Sequence, residues 1–184
     1  MRQLVVGVGD GGVSRDPDVL IVTYALGSCV AVMLHDPVAK VSGMVHYMLP
    51  EASMSGDQSN VRPWMFADTG ISYLLRVALD QGADKRRLVI FAAGGAQVMN
   101  DNSMFNIGKR NCLALRKALW KSGLVAHAEE TGGTVARTVR MEVGSGRVWL
   151  QSPGGEQREM KRSPAAQPRS LRETNNGAEH HDRG

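Results

Sequence analysis

The sequence predicts an α/β fold: a single-domain sandwich with a mixed β-sheet core and flanking helices. Three observations lead there. Short apolar runs joined by tight turns outnumber segments of helical periodicity, which disfavours a purely parallel sheet. Only two stretches space their apolar residues as a helix does. A hydrophobic content of 42% with only 5% aromatic residues describes a core of Val, Leu, Ile, Ala and Met.

Taken in order, residues 4–8 and 19–23 are apolar runs suited to buried strands. Residues 29–35 and 41–49 are two more, separated by Asp36-Pro37-Val38-Ala39. Proline presets φ for the second position of a type I turn, and aspartate suits the first. The pair therefore reads as a hairpin closed by Asp36 and Ala39. Residues 66–81 read as a helix, with Ile71, Leu74, Leu75, Ala78 and Leu79 on one face and Gly82 as its stop. A strand over 87–93 enters the small-residue turn Gly94-Gly95-Ala96. The second helix covers 107–121, and strands at 125–129, 134–143 and 147–150 complete the domain. These elements fit a mixed sheet or two packed sheets with helices outside. Beyond Gln151 large apolar residues become scarce, so residues 1–150 read as the domain and 151–184 as a disordered tail. The tail's His180-His181 pair reads more readily as solvated than as metal ligands.

Composition excludes several function classes. The net charge of +4 is spread along the chain without a basic stripe interleaved with aromatics, which argues against nucleic-acid binding. No run approaches the roughly 18 apolar residues of a membrane span, and glycines interrupt the short apolar start, so no leader is expected. A cytoplasmic location without membrane insertion follows as an expectation. Two cysteines, Cys29 and Cys112, make no disulfide framework and no CxxC zinc pattern. Gly7-Val8-Gly9-Asp10-Gly11-Gly12 matches the dinucleotide fingerprint in letters only. The helix that should open at its end is absent, since residues 13–18 lack apolar periodicity and contain Pro17. A turn is the better reading.

The segment that carries chemistry runs from Thr23 through Gly27-Ser28-Cys29 and over the hairpin to His46. If Asp36 and Ala39 close the turn, Cys29 and His46 fall directly opposite one another on one face. A close imidazole can take the thiol proton, and the resulting ion pair lowers the thiol pKa. Gly27 and Ser28 let the chain turn sharply, and backbone N–H groups there, Cys29 included, are candidate oxyanion donors. The hydroxyl or carbonyl of Thr23 is placed to hold the imidazole in one tautomer. The bland alternative stays open: a small buried cysteine and an inert, hydrogen-bonded histidine. Cys112, at helical spacing from Leu115 and Leu119, is expected to face the core. A metal site from His35, Asp36 and His46 is disfavoured, because the two histidines are expected on opposite faces. Gly94, Gly95 and Asn111 are candidates for shaping the site, or ordinary turn and helix-start residues. Met48, Met54, Trp64, Met65 and Phe66 are candidates for a partner-facing surface, or for the core.

Leu26-Gly27-Ser28-Cys29-Val30 and Gly43-Met44-Val45-His46-Tyr47-Met48-Leu49-Pro50 resemble the signature of the CheD family, the chemoreceptor glutamine deamidases. The resemblance continues through Gly94-Gly95-Ala96, 107–111, Thr131-Gly132-Gly133 and Arg137, and leaves out the tail. It implies a cysteine-dependent protein-glutamine glutaminase, with Cys29 as nucleophile, His46 as base and Thr23 as third member. The substrates implied are methyl-accepting chemotaxis receptors. The partner implied, where an organism has it, is the CheC-type phosphatase of phosphorylated CheY. The implied fold is similar to the catalytic domain of cytotoxic necrotizing factor toxins, with no cofactor and no metal. A second reading is a non-catalytic regulatory module for such a phosphatase.

Overall fold

The computed structural model describes residues 1–57, 61–97 and 106–163. The strands are β1 (Arg2–Val5), β2 (Asp10–Ser14), β3 (Val19–Leu26), β4 (Val30–Asp36), β5 (Val41–Tyr47), β6 (Val89–Gly94), β7 (Ala128–Thr131), β8 (Arg137–Glu142), β9 (Val148–Gln151) and β10 (Arg158–Glu159). The helices are α1 (Ala67–Asp80) and α2 (Ile107–Lys121). The strands form two mixed sheets. One has the order β1-β3-β8-β9-β10 and the other β2-β5-β4-β6-β7. Both helices pack on the outer face of the second sheet, giving three layers: sheet, sheet, helices.

The second sheet is therefore covered on both faces, and its strands show it. Every residue of β4, β5 and β6 is buried. A doubly covered strand has no need for alternating polarity, which is why these segments read as continuous apolar runs. One core lies between the sheets and includes Ile21, Leu26, Met33, Met44, Phe91, Val139 and Met141. The other joins Val32, Val45 and Tyr47 to Ile71 and Leu74 of α1 and Leu115 and Leu119 of α2. In the first sheet, β8 and β9 alternate between buried and half-buried positions, as strands with one wet face do.

The hairpin departs from its expected register. The ladder ends at Asp36↔Val41, so the loop holds four residues rather than two. The Asp36 carboxylate accepts the N–H groups of Val38 (2.9 Å) and Ala39 (3.1 Å) and draws the turn outward. Lys40 closes it with φ of 56°, its N–H donating to the Asp36 carbonyl at 2.9 Å. The two-residue turn expected from Asp36 and Ala39 is thereby replaced. His46 stands opposite Ala31, not Cys29, and Cys29 lies one residue before β4 begins.

Two strands were not expected. Residues 10–14, which overlap the glycine run 7–12 read as a turn, form β2 and pair with β5, Gly11 opposite Val45. Its glycines answer to packing: a Cβ on Gly11 would enter the Trp64 ring, and one on Gly9 would meet Met65. Past residue 150 the chain continues into the fold. β10 pairs with β9, and Met160, 3% exposed, sits in the core between the sheets. Residues 164–184, with His180 and His181, lie outside the described residues. No described helix is long and apolar enough to cross a membrane.

Candidate active site

The site forms where the two sheets face each other. Thr23 comes from β3 in the first sheet and His46 from β5 in the second, and their exposures are 0% and 1%. A bulge in β3 brings Thr23 and Leu26 to the same inner face. Thr23 pairs with Val139 and Leu26 with Arg137, so two residues oppose Thr138 alone. Ala25 takes up the extra residue with φ of 54°. Leu26 can then enter the core, and the chain turns through Gly27 and Ser28 to Cys29.

His46 Nδ1 lies 2.8 Å from Thr23 Oγ1, and Thr23 Oγ1 lies 2.7 Å from the Val6 carbonyl oxygen. The carbonyl can only accept, so the single hydroxyl proton goes to Val6. His46 Nδ1 must then carry a hydrogen and donate it to Thr23. That leaves Nε2 as the unprotonated nitrogen, and among the described residues it has no hydrogen-bond partner. The imidazole is oriented as a base with a free lone pair. This fixed tautomer depends on a main-chain oxygen that sequence reading passed over, since a backbone carbonyl leaves no residue signature.

Cys29 is half-buried immediately before β4, against the core between the sheets. It stands diagonal to His46, two rungs along the ladder, and no hydrogen bond joins the two side chains. Burial raises the Cys29 thiol pKa, and the residue's own backbone N–H opposes this in part. Burial also lowers the His46 pKa from 6.5 to about 4. Desolvation thus disfavours charge on both groups. Both shifts favour a neutral thiol and a neutral imidazole over a standing ion pair.

The turn before Cys29 is fastened on one side. The Gly27 carbonyl accepts from the Ala96 N–H (2.8 Å) and the Cys29 carbonyl from the Gly95 N–H (2.7 Å). Between them, the Ser28 carbonyl accepts from Asn111 Nδ2 at 2.9 Å. A side chain at Gly94, whose φ is 114°, would collide with the Cys29 carbonyl. The proposed oxyanion residues Gly27 and Ser28 thus have their carbonyls turned away toward the Gly94–Ala96 loop and α2. Arg137 bridges the glycine carbonyls behind this loop, 2.9 Å to Gly132 and 3.4 Å to Gly94.

The other candidates lie elsewhere. Cys112 is 8% exposed, faces the helix-side core and touches Gly95. His35 and His46 were expected on opposite faces, but both point between the sheets. His35 bonds Ser42 Oγ at 2.8 Å and lies against Gly146. It stands four residues along β4 from Ala31, the partner of His46, a separation of about 13 Å at strand rise. Asp36 is bound to Arg87, 2.7 Å from its Nη2. These three residues cannot share one ion. Of the residues offered for a partner surface or for the core, Phe66 is 4% exposed and belongs to the interior, and Trp64 packs on the helix-side core.

A profile of the family described as "CheD chemotactic sensory transduction" matches residues 48–152, more than half of the chain. The chain belongs to the CheD family. A "Probable chemoreceptor glutamine deamidase CheD" from Solibacter usitatus is 49% identical over 160 residues, covering 87% of this chain and 94% of that protein. The "Chemoreceptor glutamine deamidase CheD" of Thermotoga maritima is 42% identical over 158 residues, 85% of this chain and 97% of that one. A "Probable chemoreceptor glutamine deamidase CheD 1" from Syntrophus aciditrophicus is 42% identical and is covered over 100% of its length. The CheD profile begins after His46, so the cysteine–histidine segment is not part of that match.

Proposed function

We propose that this chain is a chemoreceptor glutamine deamidase that hydrolyses receptor glutamine side chains to glutamate, with Cys29 as nucleophile, His46 as base and Thr23 holding the base. The observation that carries this is the buried His46 Nε2 lone pair, freed by the bond from Nδ1 to Thr23, on the same sheet face as the half-buried Cys29 thiol and two rungs from it.

The reaction proceeds from neutral groups. A glutamine carboxamide enters above Cys29, and His46 Nε2 takes the thiol proton as sulfur attacks the amide carbon. The oxyanion that develops is met by the Cys29 N–H, which lies beside the sulfur. His46, now protonated, gives its proton to the departing nitrogen, ammonia leaves, and a thioester remains. His46 then takes a proton from water as the water attacks the thioester. Collapse releases the glutamate side chain and returns the proton to sulfur. Generating the thiolate only during attack suits a site where burial disfavours a standing charge.

The substrates on this reading are the cytoplasmic regions of methyl-accepting chemotaxis proteins, the working location is the cytoplasm, and a CheC-type phosphatase is the regulatory partner. The test is mass spectrometry of a receptor cytoplasmic fragment, with ammonia release followed in parallel. Wild-type protein should convert glutamine to glutamate. Cys29→Ala and His46→Ala should lose the conversion while keeping the folded circular dichroism spectrum. A Cys29→Ala protein that still deamidates at the wild-type rate removes the thiol from the mechanism.

A further inference from the structure

The β4–β5 ladder stops at Val30↔Tyr47, one rung short of the nucleophile. The next rung would pair Cys29 with Met48. In its place stands the side chain of Asn111, 0% exposed, from the first turns of α2. Its Nδ2 donates to the Ser28 carbonyl at 2.9 Å and to the Met48 carbonyl at 2.8 Å. The amide orientation is settled by these partners, since reversing it would set Oδ1 against two carbonyl oxygens. The Tyr47 hydroxyl donates to the Asn111 carbonyl at 2.9 Å and ties this turn of α2 to β5. One amide nitrogen thus bridges the residue before Cys29 and the residue two beyond His46.

The peptide plane gives this bridge a chemical meaning. In a trans peptide the carbonyl of one residue and the N–H of the next point in opposite directions, and the chain has no cis bonds. Anchoring the Ser28 carbonyl on Asn111 therefore sends the Cys29 N–H the other way, away from α2, and this N–H is the backbone group that favours the thiolate of the same residue. Serine or threonine at position 111 has one hydroxyl proton and cannot hold both carbonyls. Lysine would bring a charge into a buried site. An amide supplies two donors on one neutral nitrogen. The fold retains it although Asn111 Oδ1 is buried without a partner among the described residues.

We propose that Asn111 is a positioning residue for the reaction: it aims the Cys29 N–H at the developing oxyanion and sets the nucleophile's turn against the strand that carries the base. This rests on the deamidase reading above.

The test compares two reactions of Cys29 in the full chain, for wild type, Asn111→Ala and Asn111→Ser. Deamidation passes through an oxyanion; alkylation by iodoacetamide, mapped to Cys29 by mass spectrometry, is a direct displacement and does not. Loss of one well-placed oxyanion donor predicts a kcat about 10²-fold lower in Asn111→Ala, with KM and the alkylation rate within about threefold of wild type. Asn111→Ser, keeping one donor, should fall between. An unchanged kcat in a folded variant overturns the inference. So does an alkylation rate that falls in step with kcat, or loss of the fold in both variants, since Asn111 would then only hold the thiol or the structure. Wild-type protein that alkylates but releases no ammonia is a separate result, and it overturns the deamidase reading itself.

Discussion

At the level of single residues, the site departs most from its expected chemistry in its charges. A cysteine beside a histidine suggests a thiolate–imidazolium pair. Here burial holds the imidazole near a pKa of about 4 and pushes the thiol up. Protonation of His46 removes the base, and it binds that proton only well below its ordinary 6.5. The acid limb of kcat/KM, which reports the free enzyme, should therefore lie well below pH 6.5 and approach about 4. Alkylation of Cys29 should accelerate only above the ordinary cysteine range. A limb at or above the usual histidine value would show that burial does not hold the His46 imidazole neutral. Cys29, His46 and Thr23 were singled out by a hairpin register that the structure shifts and by the CheD resemblance. Their charge states were not legible, because desolvation depends on what the opposite sheet and the helices lay over them.

Among the elements, the hairpin shows how a side chain can defeat a good turn rule. Pro37 fits the expected position, but Asp36 spends its carboxylate on the N–H groups of Val38, Ala39 and Asp84 and on Arg87. Burial alone would raise its pKa; these donors outweigh burial and hold it well below the usual carboxylate range. The loop lengthens by two residues, and this even shift keeps Cys29 and His46 on one face while moving them off the same rung. Lys40 bears the cost, in a left-handed conformation that glycine adopts freely. Lys40→Gly should raise stability by up to about 1 kcal/mol in urea denaturation, with activity unchanged. A clear loss would place a needed contact on the Lys40 side chain. The helices were legible because their apolar spacing is strong. Strand β2 was not, since its glycines look like a turn until Trp64 is seen lying on them. Strand β10 escaped because it is short and polar, and only Met160 betrays it. Met160→Ala should cost about 2–5 kcal/mol, measured by chemical denaturation.

For the whole molecule, the decisive feature is that the groups proposed to carry the reaction belong to different layers. Thr23 and Val6 come with the first sheet, His46 and Cys29 with the second, and α2 braces the junction through Asn111. Stability should carry the mark of the buried histidines. His35 and His46 are each 1% exposed, and burial lowers both from 6.5 to about 4. Below pH 6.5 the unfolded chain takes up protons that the native state refuses. The stabilisation is thus complete above 6.5 and is lost as pH falls toward about 4, by at most about 3 kcal/mol for each ring. The urea midpoint should decline across that window, and His35→Asn should flatten the decline. A midpoint that stays level would contradict two neutral buried rings. The bond from Thr23 to the Val6 carbonyl has a consequence of a different kind. Replacing every codon in turn would expose Thr23 and His46 at once. At position 6 it would register only an apolar side chain, interchangeable with others of its size. The oxygen that decides which nitrogen of the base is free belongs to the main chain, and no codon change removes it. Tolerance to substitution at Val6 would thus record the freedom of its side chain and leave the chemical duty of its backbone unseen.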